Sequence, residues 1–340
     1  MVTIKDISKK SGFSITTVSK ALNDYSDISL KTKKLILDLA NEMNYIPNSQ
    51  ARSLVTQKSY TIGIIFHENS GIGLQHPLFS KILESFKTEV ERAGYDILFL
   101  AHKTGGQMGS YLQHSIRKQV EGIFVLCADF FSEELFELYH SELPIIMIDF
   151  EQDRIPYVTS DNEEAVDIAV RYLYDHGHRK IANIHGGINT FIGGTRKKAF
   201  EDSVKRLGID LNLEYQVEGV DFSKDDGYQA MEKILKLKDQ PTAIFCASDM
   251  MAIGAIQAIE AAGKKVPRDY SIIGFDGVEA GQIITPRLTT IKQETETMGK
   301  IAATEILKMI SKNKRPILGK RAVVSGFLIE GNTVRDIGDK

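Results

Sequence analysis

A chain of 340 residues, 42% apolar and 26% charged, can bury the cores of two or three domains. It contains no run of about 20 apolar residues that would span a bilayer, and its opening MVTIKDISKK lacks the apolar core of a signal peptide, so we expect a cytoplasmic protein. Residues 1–58 carry nine Lys or Arg against five Asp or Glu, so the N-terminal segment is basic and the rest of the chain is acidic, although the formal net charge is only −3. A basic segment is typical of nucleic-acid-binding proteins, but many solvated helices are basic as well.

The first 46 residues predict three helices from their capping residues and apolar spacing. Thr3 and Asp6 form a capping pair for the first helix, which ends at Ser11-Gly12. Ser14 caps a second helix, and a third begins near Ser29. The residues predicted to face inward on these two helices are Val18, Ala21, Leu22, Ile36, Leu39, Ala40 and Met43. Two short helices joined by a tight glycine turn and braced by a third form the helix-turn-helix layout.

The outward face of the second helix decides whether this layout can bind DNA, because that helix would enter the major groove. Lys20 can donate to guanine, Thr16 can bond a base edge, and Ile15 can contact a thymine methyl group. The short polar groups suited to phosphate oxygens are Ser14, Thr17, Ser19 and Asn23. The alternative is an ordinary three-helix bundle whose hydroxyl groups only cap helices.

The segments TIKDISKKSGFSITTVSKALN, ISLKT and NYIPNSQARSL resemble the DNA-binding headpiece of the lactose/galactose repressor family. The resemblance implies a helix-turn-helix domain over 1–46 and a hinge over 47–58, whose helix forms on operator DNA and wedges Leu54 into the minor groove. It assigns further DNA contacts to Thr3, Ser29, Tyr45, Asn48, Ala51 and Arg52. Lys20 stands where members of the family usually carry arginine, so their operator sequence does not carry over.

From residue 59 to residue 340, apolar strands alternate with amphipathic helices, which predicts parallel α/β sheets. The strand segments are TIGIIF, YDILFLA, GIFVLC and PIIMIDF, followed by KIANIHG, YQVEG, AIFCAS and SIIGFDG. Two similar halves predict two doubly wound subdomains with a ligand cleft at the ends of their strands. We assign about 59–160 plus 288–318 to the N-subdomain and about 161–287 plus 319–335 to the C-subdomain.

The body resembles the effector domain of the same family in HPLFSKILESFKTEVERAGY, YLYDHGHRKIANI, GGTRKKAFEDS, DFSKDDGYQAM, ASDMMAIGAIQAI and SIIGFDG. The resemblance implies an all-α helix-turn-helix headpiece joined to an α/β body like that of periplasmic sugar-binding proteins. A sugar needs paired donors and acceptors and an apolar face, which the matched positions Asp149, Arg196, Phe222 and Asp276 offer. The same comparison places His76, Phe79, Asp161, Phe191 and Ser248 around the cleft.

Several polar side chains have an alternative structural role. Asp149 is equally well explained as a loop or helix-capping carboxylate, and Asp249 is better explained as a helix N-cap. His176 and His178 are interpreted as partners of a helix C-terminus rather than as metal ligands. We therefore expect no metal site and no cofactor other than a small effector.

An enzyme and a transport-binding protein are the rival functions. Two observations argue against an enzyme: the glycines of HGGINTFIGGTR do not follow the G-x-G-x-x-G spacing of nucleotide-binding loops, and no nucleophile motif occurs. Cys127 and Cys246 lie in apolar runs, which favours buried thiols over reactive ones. The attached DNA-binding headpiece argues against a transport-binding protein. We expect a homodimer that binds a near-palindromic operator, represses carbohydrate-utilisation genes and responds to a sugar-like effector. The helices HPLFSKILESFKTEV and MMAIGAIQAI match the dimer surfaces of the family.

Overall fold

The computed structural model describes residues 2–46, 58–68, 71–104, 106–312 and 319–338. The chain forms two compact units, Met1–Tyr60 and Thr61–Lys340. The predicted hinge contacts Asn48, Ala51, Arg52 and Leu54 lie outside the described residues. None of the described helices is both long enough and apolar enough to cross a membrane.

The first unit is a three-helix domain made of α1 (Ile4–Ser11), α2 (Ile15–Leu22) and α3 (Leu30–Glu42). Thr3 and Asp6 form the reciprocal capping box predicted for α1. Gly12 then takes the left-handed conformation, with φ of 75°, so the chain turns at once into α2. The core of the unit consists of Ile7, Val18, Ala21, Ile36 and Ala40. The predicted helix-turn-helix layout is confirmed.

The second unit begins with the sheet of the N-terminal lobe. The strands up to residue 160 are β1 (Thr61–Phe66), β2 (Asp96–Phe99), β3 (Lys103–Thr104), β4 (Gln107–Met108), β5 (Gly122–Cys127), β6 (Ile145–Ile148) and β7 (Tyr157–Ser160). β3 and β4 form a small hairpin of their own. The others join a strand at 321–324 in one parallel sheet, in the order 321–324, β7, β6, β5, β1, β2.

The C-terminal lobe is built on a second sheet. Its strands are β8 (Ile181–His185), β9 (Gln216–Glu218), β10 (Ala243–Cys246), β11 (Ser271–Asp276) and β12 (Thr289–Lys292), after which β13 (Arg321–Val324) returns to the first sheet and β14 (Phe327–Ile329) to the second. The spatial order is β14-β12-β11-β10-β8-β9, and only the pairing of β14 with β12 is antiparallel. The central strands are buried on both faces, as their continuous apolar runs predict.

Helices cover both faces of each sheet. They are α4 (Pro77–Arg92), α5 (Tyr111–Lys118), α6 (Glu133–Tyr139), α7 (Asn162–Asp175), α8 (Phe191–Arg206), α9 (Lys224–Leu235), α10 (Asp249–Ala261), α11 (Glu279–Ile283) and α12 (Thr295–Lys312). In the N-terminal lobe, α4 and α12 bury one face of the sheet while α5 and α6 bury the other. In the C-terminal lobe, α9 and α10 bury one face of the second sheet, and α7 and α8 bury the other.

The strand pairing corrects the predicted subdomain boundaries. β12 was expected in the N-subdomain but pairs with β11 of the C-terminal sheet. β13 was expected in the C-subdomain but pairs with β7 of the N-terminal sheet. The chain therefore crosses between the lobes after residue 160, near residue 293 and near residue 325, because the available sheet edge, not the strand's own sequence, decides which sheet a strand joins.

The two helices expected to form a dimer surface use their apolar residues inside the unit. On α10, every residue from Met251 to Ile256 is buried. A Cβ atom on Gly254 would lie 1.9 Å from the Lys224 carbonyl oxygen, so α9 and α10 pack in very close contact. The buried residues of α4 likewise pack against α12 and the sheet. These apolar residues therefore serve the fold of the unit itself, and the assignment of the two helices to a dimer surface stays a prediction.

Candidate effector and DNA-binding sites

A cleft of about 280 Å³ lies where strands of both lobes end. This position follows from topology, because the carboxyl ends of parallel strands meet at one edge of a sheet. The lining residues of the N-terminal lobe lie at the ends of its strands, in the loops after them or at the start of α4. They include His67, Glu68, His76, Phe79, Cys127, Asp129, Phe130, Phe131, Asp149 and Phe150. Those of the C-terminal lobe include Asn189, Thr190, Phe191, Arg196, Val220, Asp221, Phe222, Ser248, Met250 and Asp276.

Nearly all of the predicted effector contacts come together in this cleft. The predicted residues that line it are His76, Phe79, Asp149, Phe191, Arg196, Phe222, Ser248 and Asp276. Asp161 lies elsewhere, as the N-cap of α7, and its carboxylate accepts a hydrogen bond of 3.1 Å from the Glu164 amide. Asp161 is therefore used within the fold, because the first turn of α7 needs an acceptor for its amide groups.

Arg196 is the buried cation of the cleft, only 3% exposed. Its Nε donates to Asn162 Oδ1 at 2.8 Å, and its Nη1 donates to the Ala247 carbonyl at 2.6 Å. Its guanidinium lies 3.8 Å from the centroid of the Phe275 ring, and Nη1 is 3.6 Å from Asp276 Oδ1. Burial lowers the pKa of Arg196, and the carboxylates of Asp276 and Asp149 oppose that shift. These contacts fix the plane of the guanidinium relative to the cleft.

Asp276 ends β11 in an unusual backbone conformation, with φ of 118°. Burial raises its pKa to about 6, and the positive charge of Arg196 opposes the rise. Gln293 donates to Asp276 Oδ1 at 2.7 Å and accepts from the hydroxyl of Ser160, which ends β7. The Gln293 side chain thus links Asp276 to Ser160, and both Ser160 and Gln293 lie where the chain crosses between the lobes.

Asp149 follows β6 and is half-buried in the cleft. It adopts a left-handed conformation, with φ of 52°, and accepts a hydrogen bond of 2.7 Å from the Thr159 hydroxyl. Burial raises its pKa, while the Thr159 hydrogen bond and Arg196 oppose the rise. Asp149 caps none of the described helices, so the capping role is not seen. Its hydrogen bond with Thr159 is compatible with a loop role, and its contact with an effector stays a prediction.

Phe222 is held in the cleft by its backbone neighbours. Its own φ is 58°, and the hydroxyl of Ser248 donates to its carbonyl at 3.0 Å. Its ring lies over Gly186, where a Cβ atom would come within 2.1 Å of the ring. Ser248 also accepts from the Met251 amide as the N-cap of α10. Ser248 therefore lines the cleft mainly as a support for Phe222.

Sequence reasoning missed the aromatic wall formed by Phe130, Phe131 and Phe150. Phe130 and Phe131 lie in the loop after β5 and Phe150 in the loop after β6, and this position after a buried strand was the available signal. It also misjudged Cys127, which is half-buried and lines the cleft. Burial and the nearby acids Glu68 and Asp149 raise the pKa of its thiol to about 12, so the thiol stays protonated. Cys246 is fully buried, as predicted.

Two other interpretations are corrected by the contacts. Asp249 does not cap α10; its carboxylate accepts from the Val278 amide at 2.7 Å and from the Thr290 hydroxyl. Its burial and its proximity to Asp276 raise its pKa well above the usual value. His178 is fully buried and contacts the Thr242 hydroxyl at 2.9 Å, and burial lowers its pKa to about 4, so it is neutral and cannot act as a cation at a helix end.

No three His, Cys, Asp or Glu side chains lie close enough to hold a metal ion anywhere in the described ranges.

On α2, two of the predicted base contacts face solvent. Ile15 is 49% exposed and Thr16 is exposed. Lys20, the predicted guanine contact, is paired with Asp27. A complex with guanine would have to replace this ion pair, which is weak because both side chains are partly exposed.

Other predicted DNA contacts serve the headpiece itself. Ser14 and Ser29 cap α2 and α3 through the amides of Thr17 and Thr32, and the Asn23 side chain donates to the Ser19 carbonyl. The half-buried Tyr45 packs against the headpiece core, and burial raises its pKa. The capping alternative therefore explains the local conformation of these residues, although a cap at a helix N-terminus still leaves amide groups that can meet a phosphate.

Comparisons with known proteins agree with this architecture. Residues 3–48 match the model for bacterial regulatory proteins of the lacI family, and residues 170–334 match a periplasmic binding protein-like domain. The HTH-type transcriptional repressor PurR of Pasteurella multocida is 35% identical over 329 residues, or 95% of each chain. The chain belongs to the lacI family. It is a DNA-binding transcription regulator and not an enzyme.

Solved structures show the lacI-family fold along nearly the whole chain. The Lac repressor dimer bound to operator and the anti-inducer ONPF superposes with a TM-score of 0.81 at 24% identity, covering 98% of this chain and 99% of that one. The complex of the transcriptional regulator CelR with cellobiose has a TM-score of 0.70 at 22% identity, covering 98% and 100%. At this level of identity the likeness establishes the fold.

Proposed function

We propose that this lacI-family regulator acts in the cytoplasm as a homodimeric repressor of carbohydrate-utilisation genes, whose operator affinity is controlled by a small sugar-like effector in the cleft. One helix-turn-helix reads only a few base pairs, so two copies on a near-palindromic operator are needed for affinity and specificity. The effector acts by binding one arrangement of the lobes more tightly than another.

The observation that carries the sugar proposal is the grouping of Arg196, Asp276 and Asp149 beside the Phe222 ring. Fixed donors and acceptors suit hydroxyl groups that both donate and accept, and the ring suits the C–H face of a sugar. The charges favour a neutral ligand. Among the described residues that line the cleft, the carboxylates are Glu68, Asp129, Asp149, Asp221 and Asp276, and the guanidinium is that of Arg196. A phosphate group would be repelled by this excess of carboxylates.

The effector proposal is tested by a thermal-shift screen of the full chain with neutral sugars, the matching sugar phosphates, purine bases and nucleosides. A ligand at 100 times its dissociation constant stabilises the native state by about 2.7 kcal/mol. We expect a neutral sugar to raise the melting temperature and its phosphate to do so much less. A larger shift with the phosphate would contradict the charge argument, and a shift with purines alone would replace the sugar proposal.

The DNA-binding proposal is tested on α2 by Ile15→Ala, with Leu35→Ala on α3 as the control, because the two side chains are 49% and 48% exposed. Operator duplexes are first selected from a randomised library with the unmodified protein. We expect Ile15→Ala to weaken operator binding about tenfold in anisotropy titrations, as the loss of one apolar base contact predicts, while Leu35→Ala changes it less than twofold. Equal effects of the two variants would remove α2 from the groove.

The homodimer is proposed to form through apolar residues that the described fold leaves exposed. Ile116 on α5 is 63% exposed and Ile283 on α11 is 76% exposed. We expect Ile116→Asp and Ile283→Asp to shift sedimentation toward the monomer, because a buried unpaired charge opposes association. Leu213→Asp is the control, since Leu213 is also 76% exposed. A dimer unaffected by both variants would place the interface elsewhere.

A further inference from the structure

We propose that the natural effector has two parts: a polyhydroxylated ring that binds Arg196 and Asp276, and a planar aromatic group that binds an apolar slot at the mouth of the cleft. The slot is defined by Phe130, Phe131 and Phe150 of one lobe and Val220 of the other. This inference rests on the proposed function, because it assumes that the cleft binds the effector.

The slot has a rigid aromatic floor. Phe130 stacks on Phe150 with centroids 4.3 Å apart and planes within 4°. Phe131 meets Phe150 edge-on at 5.5 Å, and Phe191 meets it from the other lobe at 6.4 Å. Phe150 itself is buried in the core of the N-terminal lobe. Since Phe150 is fixed by packing, the ring faces around it are set before a ligand arrives.

Two residues of the slot leave apolar surface in water from opposite sides of the cleft. Phe131 is 77% exposed and Val220 is 70% exposed, yet both line the same cleft. Arg196 and Asp276, in contrast, are 3% and 8% exposed. The cleft therefore changes from buried and polar at its inner end to exposed and apolar at its mouth. A ligand that contains only hydroxyl groups fits the inner end and leaves Phe131 and Val220 hydrated.

An aromatic group is the substituent that fits this mouth best. Aromatic rings prefer offset-stacked or edge-on contacts with other rings. Phe131 meets Phe150 edge-on and is still 77% exposed, so most of its ring surface is left for a ligand ring. Partial burial of Phe131 and Val220 by such a group predicts affinity about 10- to 100-fold higher than that of the ring alone. Two classes of compound combine the required parts: a glycoside with an aromatic aglycone, and a nucleoside.

Isothermal titration of the full chain distinguishes these classes. The probes are 4-nitrophenyl glycosides of glucose, galactose and mannose with the matching methyl glycosides, and nucleosides with free ribose. We expect at least one aromatic ligand to bind 10-fold or more tightly than the matching compound without the aromatic group, that is, the methyl glycoside or free ribose. A gain in the glycoside arm identifies an aryl glycoside, and a gain in the nucleoside arm identifies a nucleoside.

Phe131→Ser tests whether the slot causes the gain, with Phe136→Ser as the control. Phe136 is a 62% exposed phenylalanine on α6 that does not line the cleft. We expect Phe131→Ser to bring the affinity of the aromatic ligand to within threefold of that of the matching methyl glycoside or ribose, whose own affinity should not change. Phe136→Ser should alter neither affinity.

Two results would overturn the inference while leaving the proposed function intact. In the first, methyl glycosides bind and change operator affinity, but the aromatic members bind no more tightly. In the second, the aromatic gain survives Phe131→Ser. If no member of any arm binds, both the inference and the proposed effector control fail.

Discussion

Replacing Arg196 by methionine would remove the buried cation of the cleft while keeping a side chain of similar length. The guanidinium donates to Asn162 and to the Ala247 carbonyl, and it lies 3.6 Å from Asp276 Oδ1. Without it, no Lys or Arg among the described residues that line the cleft compensates the charges of Asp276 and the half-buried Asp149. Removing one partner of a buried ion pair costs about 3–5 kcal/mol. At roughly 2 °C per kcal/mol for a domain of this size, the melting temperature of the body should fall by about 6–10 °C near pH 7.5.

The pH dependence of this loss follows from Asp276. Its pKa of about 6 in the folded protein lies above the value of about 3.9 in an unfolded chain, so its contribution to stability is present at low pH and is lost as the pH rises through 6. Arg196→Met raises that pKa further. The difference in melting temperature between the variant and the parent should therefore be largest at pH 7.5 and shrink toward pH 5, where Asp276 is neutral and needs no cation.

Scanning calorimetry of the full chain between pH 5 and pH 8 measures both effects, with Lys197→Met as the matched control. Lys197 is the next residue on α8 and pairs with Glu201 one turn away, each side chain being 31% exposed. Partly exposed pairs of this kind contribute only about 0.3–0.5 kcal/mol. Equal losses for the two variants, or a deficit for Arg196→Met that does not change with pH, would refute the assignment of a buried charge cluster. Titration of the ligand identified in the screen should show no binding to Arg196→Met.

Gly186→Ala should weaken effector binding at least tenfold in calorimetric titrations, because its Cβ would displace the Phe222 ring 2.1 Å away; unchanged affinity would show that this ring does not contact the ligand. Gly254→Ala should destabilise the C-terminal lobe by about 2–3 kcal/mol in urea unfolding, since the new methyl group would meet the Lys224 carbonyl; a neutral effect would mean that α9 and α10 can move apart. Leu54→Ala should weaken operator binding strongly in anisotropy titrations and leave effector affinity unchanged, and full operator affinity would contradict the minor-groove wedge.

The headpiece could be predicted almost completely from sequence because its signals are local. Thr3, Gly12, Ser14 and Ser29 cap or end helices through hydrogen bonds and backbone conformations that involve residues within a few positions of each other. The ion pair of Lys20 with Asp27 joins α2 to the segment after it, and no spacing rule predicts it.

The candidate effector site was predicted in part. Arg196, Phe222 and Asp276 were found from the family resemblance together with the chemistry that a sugar requires. Phe131 and Phe150 were missed, because a phenylalanine after an apolar strand reads equally well as core. The interpretation of Asp249 as a cap was wrong because its partners, Val278 and Thr290, lie 29 and 41 residues away.

The sequence alone determined the helix-turn-helix, the alternation of strands and helices, and the placement of a site at strand ends, because caps, periodicity and parallel connections act over short distances. Only the tertiary structure decided that β12 belongs to the C-terminal sheet and β13 to the N-terminal sheet. Both strands read alike in sequence, and the free edge that each one meets is made by strands far away in the chain. The same long-range pairing brings Gln293 between Ser160 and Asp276, where it connects the cleft to the crossings between the lobes.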